Sequence, residues 1–127
     1  MPGPRFEDGR RWTAGTLRLL VRAVDAARTL SDKVELVRRH VRSLADLSDV
    51  LEACFYQDDS LAVFSLLSDA ELARMLQIGH QHRDAMGLDE AGCPSWGAAL
   101  QRHVDALPTA RRQAVGELLD ALNRRQA

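Results

Sequence analysis

Between Ser43 and Met86 apolar residues return at intervals of three, four and seven positions, which is the period of a helix face and not of a strand. Leu44, Leu47, Leu51, Cys54 and Phe55 share one such face, and Asp46, Asp49 and Glu52 are expected to turn away from it. Ser43 is placed to cap this helix, with Asp46 reaching back as a weak capping box. QDDS at 57–60 reads as a break, after which Asp59 or Ser60 caps a short apolar helix from Leu61 to Leu67. Ser68 with Glu71 then makes a stronger capping box, and Leu67 with Leu72 occupies the positions of a hydrophobic staple. The helix that follows carries Leu72, Met75, Leu76, Gly79, His82 and Met86 on one face, and Gly87 is placed to end it.

The same period runs through the rest of the chain. Thr13 can cap a first helix to about Arg28, with Leu17, Leu20, Val21, Val24 and Ala27 inward. Ser31 can cap a second, with Val34, Val37, Val41 and Leu44 inward. Residues 87–93 read as a loop, and Pro94 suits the first turn of a helix carrying Trp96, Ala99, Leu100, His103, Val104 and Leu107. Pro108 breaks that pattern, Thr109 restarts it, and Val115, Leu118, Leu119 and Leu122 form the cleanest stripe of all. No alternating pattern of a half-buried strand is present. The sequence therefore predicts an all-α protein, a compact bundle or orthogonal array of six to seven short helices. At 127 residues it has the length of one domain. Residues 12–127 are expected to form it, with residues 1–11, rich in Pro, Gly and charge, as a flexible N-terminal tail.

Charge is unevenly spread although the net value is −1. Residues 10–42 carry nine basic groups against Asp25, Asp32 and Glu35, whereas residues 43–92 carry ten acids against Arg74 and Arg83. Lys33 is the only lysine, a bias that fits a GC-rich bacterial genome. No apolar run is long enough to span a bilayer and the N-terminal residues lack a signal peptide's apolar core, so a cytoplasmic protein without membrane contact is expected.

Chemistry is sparse. His80 and His82 point to opposite sides of one helix and cannot share a metal from a single face. His82 and His103 lie on apolar stripes and could meet across a helix pair, but half-buried structural histidines are the favoured reading. Cys93 precedes Pro94 at an expected helix start, where a thiol can be activated, yet no base accompanies it in sequence; Cys54 belongs to the core stripe. The sequence contains no nucleophile elbow, phosphate loop or zinc motif. No catalytic residue, cofactor or metal ligand is assigned.

Two binding surfaces remain. The first surrounds the expected break: Tyr56, Asp58, Asp59, Leu61 and Phe64, an apolar group with an acidic rim that fits a basic protein partner or a second copy of this chain. The second is the arginine ridge of Arg18, Arg22, Arg38, Arg39 and Arg42, spaced to meet phosphate. The leading expectation is thus a protein–protein interaction module (an adaptor, regulator or chaperone-like protein) without catalysis of its own. A nucleic-acid-associated regulator acting through residues 10–42 is the alternative, and an enzyme using His82, His103 or Cys93 comes third. Acids on the helix after Ser43 oppose a DNA-reading role for it.

Overall fold

Seven helices account for most of the residues that the computed structural model describes, which are 6, 12, 14–55, 57–81 and 95–126. They are α1 (Ala14–Ala26), α2 (Leu30–His40), α3 (Leu44–Cys54), α4 (Gln57–Phe64), α5 (Asp69–Gln81), α6 (Trp96–Asp105) and α7 (Thr109–Gln126). No strand forms among the described residues, so the all-helical class holds.

Helices α1, α2, α4 and α6 follow one another round the outside, each packed on the next. Inside them, α3 touches α1, α5 and α6, and α5 touches α3, α6 and α7. This explains why α3 and α5 are covered on nearly every side. In α5 the expected stripe of Leu72, Met75, Leu76 and Gly79 is buried, but so are Ala73, Gln77 and Ile78. In α3, Asp46 is buried although it was expected to face outward, because three neighbours leave the helix only a narrow solvent side, which lies farther along at Glu52 and Ala53. Asp49 is half-buried and Glu52 exposed.

The helix ends follow local chemistry. Ser43 caps α3, its Oγ accepting the Asp46 N–H at 3.1 Å. At α5 the box is reciprocal: Glu71 N–H donates to Ser68 Oγ at 3.2 Å, and Ser68 N–H donates to Glu71 Oε1 at 2.9 Å. Proline 108 supplies the carbonyl that opens α7, accepting the Arg112 N–H at 2.9 Å. Three boundaries differ from expectation. Helix α2 is capped by Thr29, which accepts the Asp32 N–H at 3.1 Å, and so begins at Leu30, leaving Ser31 inside its first turn. Val41 is the extended C-cap of α2, buried but past the helix, which separates it from Leu44 of α3. QDDS is not a break: it is the first turn of α4, where acids and short polar side chains are well tolerated. The interruption falls one turn earlier, at the extended backbone of Phe55. Thr13, Tyr56, His82, Met86, Gly87, Cys93 and Pro94 lie outside the described residues; α6 starts at Trp96 behind Ser95.

Helix α7 runs alongside α5 in the same direction. Arg111 reaches Asp69 at the start of the pair through Nε and Nη2, 3.0 and 2.8 Å from Oδ1, and Gln77 Nε2 reaches Asn123 Oδ1 at 3.4 Å farther along. Gln77 is buried and also accepts from Arg74. Despite its clean stripe, α7 is peripheral: Val115 is buried, Leu119 and Leu122 are half-buried, and Leu118 is exposed, because α7 has neighbours only along one side.

Candidate interaction surface

The outward side of α4 follows from its register. Ser60, Val63, Phe64 and Leu67 are buried, so positions 61, 62 and 65 lie on the opposite side. There Leu61 is 42% exposed, Ala62 is half-buried and Ser65 is exposed, with Asp59 half-buried beside them. The second turn of α4, Leu61 to Phe64, holds no polar residue, so with Val63 and Phe64 in the core a leucine is left on the other side.

Phe64 does not belong to this surface. Its relative exposure is 0%, and its ring packs against His103 of α6 with centroids 5.8 Å apart and planes tilted by 47°. The error has a geometric origin. With the helix starting at Gln57, Leu61 and Phe64 both fall in its second turn, about 60° apart in rotation, and Phe64 is the one turned towards α6. His103 therefore meets an aromatic ring. Burial first, and the nearby Arg111 second, hold its imidazole below the usual histidine range. Among the described residues no group of three or more His, Cys, Asp or Glu gathers where an ion could sit. Cys54 is buried, with Sγ donating to Val50 O at 3.2 Å; desolvation and the negative charge of Asp25 push its thiol up to about 11 in spite of Lys33.

The arginine ridge is only partly free to meet phosphate. Arg18 and Arg22 on α1 are exposed, as are Arg38 and Arg39 on α2, but both of the latter face Glu35 at 3.7 Å within their own helix. Arg42 turns back onto the end of α2, donating from Nη1 to Arg38 O at 3.1 Å and Val41 O at 3.3 Å. That contact satisfies carbonyls that a helix end leaves open.

Phe6 is 5% exposed, sits in the core, and its N–H donates to Glu71 Oε2 at 2.9 Å. At Phe6, then, the chain is anchored; the other residues of the 1–11 stretch expected as a loose tail lie outside the described residues. The signal was a lone phenylalanine in a stretch otherwise made of Pro, Gly and charge.

No helix among the described residues is long and apolar enough to cross a membrane. Compared with protein families, with characterised proteins and with solved structures, the chain matches none.

Proposed function

We propose that this protein is a small helical interaction module and that its partner sits on the outward side of α4, around Leu61 and Asp59. The observation that carries this reading is the 42% exposure of Leu61 on a helix whose other side is fully in the core. A leucine held on a short, well-anchored helix offers apolar area that costs little ordering to bury, with acidic residues at its rim to select the partner. Capture with tagged protein, read by mass spectrometry, tests it when Leu61→Glu is compared with Leu118→Glu, a change at an exposed leucine on a different helix. Proteins retained by the wild type and by Leu118→Glu but lost from Leu61→Glu support the surface. Equal capture by all three refutes it.

The alternative, binding of nucleic acid through α1 and α2, draws support from the exposure of Arg18, Arg22, Arg38 and Arg39 on two adjoining helices. It requires a mobility shift at low salt whose affinity falls with a log–log slope of about −0.9 per neutralised phosphate. The engagement of Arg38 and Arg39 with Glu35, and of Arg42 with backbone carbonyls, weighs against it.

A further inference from the structure

Helix α7 is packed along one side only, and the flank beside that packing has a pattern. Ala114, Leu118, Ala121 and Arg125 follow one another at spacings of four, three and four, which makes them a continuous row along the helix. The row lies where the cover of α5 runs out: Ala114 and Ala121 are half-buried, Leu118 is 39% exposed and Arg125 is exposed. Along its inner edge stand Val115, which is buried, and Leu122, which is half-buried. Along its outer edge, turned away from α5, stand Glu117 and Arg124. These two carry opposite charges, are both exposed and lie seven positions apart on the same edge. Neither is in an ion pair among the described residues.

From this placement we infer that the row around Leu118 binds a second copy of this chain, as an antiparallel pair of α7 helices about a two-fold axis. The register that seats Leu118 of each copy on Ala121 of the other also lays the stem of Arg125 over Ala114. The same register brings Glu117 of each copy against Arg124 of the other, and the two-fold repeats every contact, so two ion pairs close along the outer edge. Ala114 and Ala121 are small enough to let the helices approach to about 8 Å, the near end of the usual range. A parallel pair would instead turn Glu117 towards the apolar edge at Leu122 and leave both charges unmatched. Leu19 of α1 is more exposed, at 68%, but Arg22 stands in the middle of its outward face. Pairing α1 with its own copy would set those two arginines side by side, and like charges across an interface are strongly disfavoured. One helix pair is a small interface, so the dimer is expected to dissociate on dilution. The α4 surface takes no part in it, and either can fail without the other.

Sedimentation equilibrium on the full chain, from dilute solution to the limit of solubility, tests it. The wild type is expected to pass from monomer to dimer, with association weakening as salt is raised. Leu118→Glu puts a charge in the middle of the row and should leave a monomer. Glu117→Arg and Arg124→Glu should each weaken association by at least about tenfold, since each sets like charges together at two places in the pair. The double variant Glu117→Arg with Arg124→Glu restores opposite charges at both places and should recover most of the wild-type association. Circular dichroism shows that each variant is folded before it is compared. A wild type that stays monomeric throughout overturns the inference, as does a dimer that Leu118→Glu leaves intact, or a double variant that associates no better than the single ones. A monomeric wild type that still captures another protein through Leu61 overturns this inference alone and leaves the α4 surface standing.

Discussion

The backbone N–H of Phe6 donates to Glu71 Oε2 at 2.9 Å, across 65 positions of sequence, while the other oxygen of the same carboxylate accepts the Ser68 N–H. One buried side chain thus completes the start of α5 and holds Phe6 against the core.

Removing that carboxylate should cost more than removing its capping partner. Ser68→Ala loses one cap bond and about 1 kcal/mol. Glu71→Ala leaves the buried Phe6 N–H without an acceptor and also removes the part-buried cap bond of the Ser68 N–H, a loss of about 3 kcal/mol. Glu71→Gln should fall between them, since one N–H keeps its acceptor and the other meets an amide donor. Urea unfolding of the three variants gives the order directly, and equal losses for Ser68→Ala and Glu71→Ala would mean that the Phe6 bond contributes nothing.

Leu61 and Phe64, three positions apart, should behave as opposites. Phe64→Ala removes a fully buried ring and is expected to destabilise the fold by about 3–5 kcal/mol. Leu61→Ala should stay within roughly 1 kcal/mol of the wild type, because a half-exposed side chain loses little burial on truncation. Thermal melts followed by circular dichroism separate the two cases.

Cys54 should be unreactive in the folded protein. With the thiol pushed up to about 11, the reactive thiolate is scarce at pH 8 and the sulfur is buried besides. Alkylation with iodoacetamide, resolved by peptide mass spectrometry from that of Cys93, should modify Cys54 only as fast as the protein unfolds. The same displacement has a sign in stability. The unfolded chain releases this proton near pH 9 while the folded chain holds it to about 11, so the contribution is complete below pH 9 and is lost as pH rises through that window.

His103 should titrate below the ordinary histidine value of 6.5 because its charged form is desolvated and faces Arg111. On acidification the unfolded chain takes up the proton first, so stability should decline as pH falls through and below 6.5. The imidazole resonances of His103 followed by NMR give its midpoint. Arg111→Ala should move that midpoint upward, but only part of the way, since burial is the larger cause.

What the sequence disclosed was the local chemistry. The reciprocal bonds of Ser68 and Glu71, the cap at Ser43 and the inward face of α1 all depend on residues within one or two turns of each other. Periodicity also identified which residues share a face, as in Leu72, Met75, Leu76 and Gly79. It could not say how many faces a helix would have covered, because that depends on neighbours distant in sequence. Asp46 is buried for this reason, and Leu118 is exposed for the same reason in reverse. The candidate site suffered from a smaller error of the same kind. Placing the break at QDDS and not at Phe55 shifted the start of α4 by a turn, and Phe64 was assigned to a surface from which its rotation excludes it. Competing caps account for Thr29 against Ser31: both are good acceptors, and the choice was settled by where the chain had to turn.

The shared direction of α5 and α7 has an electrical consequence. Antiparallel neighbours place opposite dipole ends together, but these two place their positive N-terminal ends side by side, and Arg111 adds a further positive charge in the first turn of α7. Asp69 and Glu71, both in the first turn of α5, stand at that junction. They act as counter-charges to the aligned dipoles, and together with the buried Asp46 they withdraw a share of the acidic middle segment from the solvent side of the protein. Among the described residues the negative charge turned to solvent is correspondingly narrower than the composition implies, and α4 keeps Asp59 half-exposed with no basic residue on the same helix.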